Sequence, residues 1–135
     1  MASRSLDDLN PDTKRLAENF IKSCEKAGIE ILIYCTYRSP EEQNELYAIG
    51  RSKPGKIVTN ARGGDSYHQH RCAFDWVPVI AGKPQWTDNA LYTKCGNIAE
   101  QVGLEWSGRW SGKFKETAHC QFTNGKTLEQ LKGQK

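Results

Sequence analysis

Apolar positions recur along this chain with two different periods, and the change from one to the other marks out its elements. Leu16, Ala17, Phe20, Ile21, Cys24 and Ala27 fall on one face at helical spacing. Asn10 is placed to cap that helix, Pro11 fits its first position, and Gly28 suits its end. From Ile29 to Tyr37 the run is rich in Ile, Tyr and Thr and predicts a buried strand. Ser39-Pro40-Glu41-Glu42 has the spacing of a capping box and opens a second helix that continues through Leu46 and Tyr47 towards Gly50. Gly50 to Gly64 carries four glycines and one proline and predicts a long loop. Its basic residues are Arg51, Lys53, Lys56 and Arg62.

Cys72 to Val79 predicts another strand. Period-two alternation sets Ala73, Asp75 and Val77 on one face, and Cys72, Phe74 and Trp76 on the other. Thr87 or Asp88 caps a third helix with an apolar stripe of Leu91, Cys95, Ile98, Ala99 and Val102, ended by Gly103. Leu104 to Trp106 and His119 to Phe122 are short strand candidates. The second of these aligns His119 with Gln121 and puts Cys120 and Phe122 behind them. A weak helical pattern in Leu128 and Leu131 closes the chain. The order α, β, α, β, α, β, β predicts an α+β fold with a mainly antiparallel sheet.

Composition narrows the class. At 135 residues the chain has the size of one domain, and the elements above use nearly all of it, leaving nothing separate for a second domain. The longest apolar run is interrupted by Glu30, so no membrane span is expected. The first residues lack the apolar stretch of a secretory signal, which predicts synthesis in the cytoplasm and export only by another route. A net charge of +3 is too mild for a nucleic-acid stripe but suits an acidic polymer. Five dispersed cysteines without a C-x-x-C pair argue against a disulfide framework or a cysteine-zinc site and read as small buried residues.

The chemistry concentrates around the three histidines. His68 precedes Asp75 by seven residues, and a distant Glu116-Thr117-Ala118-His119 follows. Such a set can supply three zinc ligands and a proton carrier, since zinc accepts imidazole nitrogen and carboxylate oxygen and a catalytic site keeps one position open. Asp75 lies between Phe74 and Trp76 and needs a cation, which a metal, Arg38 or Arg71 can each provide. His70 is a rival ligand, because in an extended segment it points the same way as His68. Glu116 is placed to accept a proton from water and pass it on. Arg38 can polarise a carbonyl or clamp a carboxylate, or simply pair with Glu41, Glu42 or Asp75.

Several motifs occur in order. They are Tyr37-Arg38-Ser39-Pro40-Glu41-Glu42-Gln43, Tyr47 to Arg51, Lys53 to Asn60, Ser66-x-His68-x-x-x-x-Ala73-x-Asp75, Gly103 to Trp106, and Glu116-x-x-His119. Over residues 8–123 this closely resembles the L-alanyl-D-glutamate endopeptidases of bacteriophage lysis, relatives of the D-alanyl-D-alanine carboxypeptidases. The resemblance implies a single catalytic domain across 1–135 with the hedgehog-like, D,D-peptidase-like α+β fold. It implies a Zn2+ ion held by His68, Asp75 and His119, with Glu116 as general base and Arg38 stabilising the substrate carbonyl. Ser66 would support the first ligand. It further implies a monomer acting on peptidoglycan, held in the host cytoplasm until a holin-type partner permeabilises the membrane. A D-alanyl-D-alanine carboxypeptidase and a non-catalytic wall-binding module are the alternatives. Two positions depart from the family pattern: Arg71 stands where Gly is usual, and Arg109 where Asp is common. The glycine implies a backbone conformation that Arg adopts reluctantly.

Overall fold

The computed structural model describes residues 3–59, 61–64, 66–110 and 116–133. Asn60, the last residue of one family-like motif, lies outside them. The elements are α1 (Pro11–Lys26), β1 (Glu30–Cys35), α2 (Pro40–Ala48), β2 (Ala73–Ile80), β3 (Lys83–Pro84), α3 (Asn89–Val102), β4 (Glu105–Trp106), β5 (His119–Gln121) and α4 (Leu128–Lys132). The strands form one sheet in the order β1-β2-β5-β4, with β3 folded back on β2, and every strand pairing is antiparallel. The expected α+β architecture is thus observed, and the β2–β3 hairpin is added to it. No helix among the described residues is long and apolar enough to cross a membrane.

The helix starts follow the capping chemistry. Asn10 Oδ1 accepts from Thr13 N at 2.8 Å, and Ser39 and Glu42 close a reciprocal capping box on α2. Asp88, rather than Thr87, caps α3 through Leu91 N. Gly28 (φ +82°) and Gly103 (φ +109°) follow α1 and α3 in the left-handed conformation that turns the chain out of a helix.

One face of the sheet packs on α1 and α3. Phe20 meets Trp76 edge-on at 5.1 Å between ring centroids, and Trp76 meets Tyr92 at 5.1 Å. Phe74, Cys120 and Trp106 lie in the same core. Trp106 is fixed by its indole N–H, which donates to the Thr117 carbonyl at 2.9 Å, and its ring lies against Gly96 of α3. A Cβ at residue 96 would stand 2.2 Å from that ring, so only glycine admits the tryptophan there. This packing seats β4 and β5, and with them the polar side of β5.

The opposite face of the sheet carries the polar row. In register, Asp75 of β2 stands beside Cys35 of β1 on one side and His119 of β5 on the other. A bulge between Ile33 and Cys35 makes the first pairing. Ile33 opposes Trp76 and faces the core. Strict alternation would send Cys35 the same way, and the extra residue turns it to the polar face.

Candidate metal centre

His68 reaches this face from a different kind of element. Tyr67–His70 is a single 3-10 turn capped by Ser66, whose Oγ accepts from His68 N at 3.3 Å, while Gln69 Oε1 accepts from Ser66 N at 3.1 Å. The turn separates the two histidines that an extended segment would have aligned. His68 is buried against Asp75, whereas His70 Nε2 lies 3.1 Å from the Gly64 carbonyl and belongs to neither donor group around Asp75. Arg71 ends the turn with φ +61° and ψ +24°. The position therefore demands the conformation that glycine adopts freely and that costs an L-residue on the order of 1–2 kcal/mol. The Arg71 side chain offsets this by donating to the Asp8 carbonyl at 3.0 Å and stacking 4.1 Å above Tyr37. It does not serve Asp75.

The donor atoms converge on Asp75. Its Oδ1 lies 3.3 Å from His68 Nε2 and 3.1 Å from His119 Nδ1, and its Oδ2 lies 3.8 Å from Arg38 Nη2. Each imidazole is oriented from behind. His68 Nδ1 is 2.9 Å from the Thr36 carbonyl, and His119 Nε2 is 2.9 Å from Gln121 Oε1. These contacts fix the orientation of each ring, with the rear nitrogen against its partner and the front nitrogen towards Asp75. Glu116 stands on the open side, with Oε2 3.9 Å from His119 Nδ1 and its side chain 65% exposed. The exposed ring of Trp110 lies 6.4 Å from that of His119.

The electrostatics show a site that requires positive charge. Burial by itself would push the Asp75 carboxyl up and the His68 imidazole down. Their mutual attraction overrides this, aided by the hydrogen bond from His119 to Asp75. It holds Asp75 well below the usual carboxylate range and raises His68 to about 10. A proton on His68 thus supplies a cation that Asp75 needs. With a metal in place of that proton, two imidazoles and a carboxylate with fixed outer partners would be a donor set suited to a borderline dication such as zinc. The side chains near Asp75 fall into two overlapping trios, Cys35–His68–Asp75 and Asp75–Glu116–His119, each with ligand atoms within 4.8 Å of one another.

Arg38 is held in place by residues without an obvious chemical signature in the sequence. Its Nη1 donates to Gln43 Oε1 at 2.8 Å and its Nη2 to Cys35 Sγ at 3.3 Å. Gln43 is fully buried and donates to Thr59 Oγ1 and the Ala61 carbonyl. Gln69 donates to the Arg38 carbonyl at 3.0 Å and ties the His68 turn to the same network. Cys35 is buried, as expected of these cysteines, yet it lines the site, with Sγ 3.7 Å from His68 Nδ1. Ser66 acts on the His68 backbone rather than its ring. Arg109, the second departure from the family pattern, pairs with Glu100 at 2.6 Å and with Asn97 on α3.

A family model described as VanY, D-alanyl-D-alanine carboxypeptidase, matches residues 7–123. The chain is similar to the peptidoglycan L-alanyl-D-glutamate endopeptidase CwlK of Bacillus subtilis (strain 168). The two are 35% identical over 129 residues, covering 84% of this chain and 73% of that one. It is also similar to the L-alanyl-D-glutamate peptidase of Listeria phage A118, at 33% identity over 127 residues, covering 89% of this chain but 41% of that longer protein. Among solved structures, the Serratia marcescens L-Ala D-Glu endopeptidase ChiX shares the fold with a TM-score of 0.67 and 21% identity, covering 91% of this chain and 89% of its own. A match across nearly all the ordered elements, joined to a relative of this identity and coverage, leads to one conclusion: the chain belongs to the VanY family of D-alanyl-D-alanine carboxypeptidase-type peptidases.

Proposed function

We propose that this chain is a zinc-dependent peptidoglycan hydrolase that cleaves the L-alanyl-D-glutamate bond of the stem peptide and serves as a bacteriophage lysis enzyme. One observation carries the reading. His68 Nε2 and His119 Nδ1 both face Asp75 Oδ1, with Glu116 on the open side and Arg38 beside Asp75 Oδ2. In this reading His68, Asp75 and His119 hold the metal. When bound, zinc supplies Lewis acidity, acidifying water and polarising a carbonyl. Glu116 takes the proton of the attacking water and delivers it to the departing amine as the C–N bond breaks. The Arg38 guanidinium faces the carbonyl oxygen as negative charge builds there, held in aim by Gln43 and Cys35. Ser66 keeps the His68 turn in shape. A non-catalytic wall-binding module has no use for Glu116 at this place.

Purified peptidoglycan digested with and without a chelator tests the reading. Mass spectrometry is expected to find new internal L-Ala and D-Glu ends, absent after chelation. Release of terminal D-Ala alone would make the chain a carboxypeptidase on the same scaffold, the activity for which the family model is named.

Arg38 has its own signature. Arg38→Ala is expected to lower kcat by about tenfold to a hundredfold or more with a smaller change in KM, the pattern of an interaction made chiefly in the transition state. Arg38→Lys restores little, because an ammonium lacks the guanidinium fork. An unfolded Arg38→Ala protein, seen by circular dichroism, would instead make the Asp75 contact structural.

The two finer parts of the reading are that the enzyme acts as a monomer and that it waits in the host cytoplasm for a holin-type partner to open the membrane. Its mild positive charge then favours an anionic wall, an attraction that salt screens. Expression alone is expected to leave cells intact, and a membrane permeabiliser added afterwards to lyse them quickly. Lysis without permeabiliser defeats this part, and a dimer in sedimentation defeats the monomer.

A further inference from the structure

A groove of about 530 Å³ runs from the candidate centre along α2. Arg38 and Cys35 stand where it meets the centre, and half-buried Tyr34 and Ile49 give it an apolar wall. Its lining holds two acidic residues and, besides Arg38, one basic residue, and these are not equivalent. Glu42 is committed to the α2 capping box, where its Oε1 accepts from Ser39 N at 3.1 Å. Glu45, one helical turn further on, is exposed, as is Lys53. Among the described residues neither of these two has an ion-pair partner, and they do not pair with each other.

Lys53 is nonetheless held firmly. Its backbone N–H donates to the Ala48 carbonyl at 3.0 Å and its carbonyl accepts from Gly50 N at 2.8 Å, which locks its Cα to the end of α2. Gly50 makes this turn at φ +83°, and a Cβ there would stand 2.8 Å from Ile57. The groove therefore keeps two separated, unneutralised charges of opposite sign beside an apolar wall. An extended ligand bearing both a free amine and a free carboxylate matches that pattern.

We infer that this groove seats the part of the peptide substrate flanking the scissile bond, with Glu45 receiving a side-chain ammonium and Lys53 a free carboxylate. The inference rests on the peptidase reading above and names the chemistry of the substrate it selects. A D-glutamyl unit linked through its side chain leaves one carboxylate free, and a diamino acid next to it brings the amine.

The test uses two synthetic peptides, L-Ala-γ-D-Glu-L-Lys-D-Ala and the same peptide with norleucine for lysine, which removes the amine and keeps the chain length. The wild-type enzyme is expected to favour the lysine peptide by about three- to tenfold in kcat/KM, mainly through KM, and less so as salt is raised. Glu45→Gln erases that preference and leaves the norleucine peptide unaffected. Lys53→Gln raises KM for both peptides alike and keeps the preference. Equal wild-type kcat/KM values, or a Glu45→Gln loss of the same size on both peptides, overturn the inference while cleavage at L-Ala–D-Glu keeps the peptidase reading standing. If neither peptide is cleaved, that reading falls. Calorimetric titration of the two peptides then still decides the groove: tighter binding of the lysine peptide that depends on Glu45 supports it, and equal binding overturns it.

Discussion

Asp75→Ala is expected to remove zinc and hydrolysis together, because both imidazoles of the centre face one oxygen of this carboxylate. The change takes away a proposed ligand and also the charge that holds His68 at about 10. Without Asp75, burial drives the His68 imidazole towards its neutral form, and the site no longer concentrates positive charge. Removing one partner of a buried ion pair costs about 3–5 kcal/mol, so this variant is also expected to melt earlier. His119→Ala separates the two effects. It removes a front-facing nitrogen and keeps Asp75 paired with His68 and Arg38. Elemental analysis after dialysis is expected to find less than stoichiometric zinc in a folded His119→Ala protein. His70→Ala, altered at a ring that meets the Gly64 carbonyl, keeps its metal. Stoichiometric zinc in His119→Ala would remove that residue from the ligand set, and loss of zinc in His70→Ala would put His70 into it.

Glu116→Gln is expected to cost about 100- to 10,000-fold in kcat with zinc content unchanged. The amide keeps the size and polarity of the side chain but cannot take a proton. The side chain is 65% exposed, so its neutralisation leaves the core and the melting temperature nearly untouched. Steady-state kinetics on the L-Ala-γ-D-Glu peptides, with metal analysis on the same samples, read both quantities. Turnover within a few fold of wild type would show that another group carries the proton.

Much of the site was already legible in local patterns. Asp75 between Phe74 and Trp76 announced a carboxylate on the polar side of a buried strand, and period two put it opposite the core residues that the structure finds packed on Phe20. The same alternation joined His119 to Gln121, which now meet at 2.9 Å. Gly in the family pattern at residue 71 signalled a backbone conformation that Arg adopts reluctantly, and the structure shows it to be left-handed, with Arg71 at φ +61°. The helix starts at Asn10 and Ser39 were written in their capping residues because a cap is satisfied within four residues.

The sequence by itself determined most of the elements, the polar face of β2, and a short list of candidates for holding a metal and carrying a proton, because periodicity and capping act over one or two turns. Three things were decided only by tertiary structure. Which of His68 and His70 meets Asp75 depended on a 3-10 turn, whose rotation per residue sends positions two apart to different sides where a strand would align them. The place of Cys35 depended on a bulge in β1, a register event that exists only when β2 lies alongside. The aim of Arg38 depended on Gln43, Gln69 and the loop carbonyl of Ala61, brought together from segments far apart in the chain. A buried amide finds its partners through packing, and nothing in its own sequence neighbourhood says which carbonyl or guanidinium it will meet.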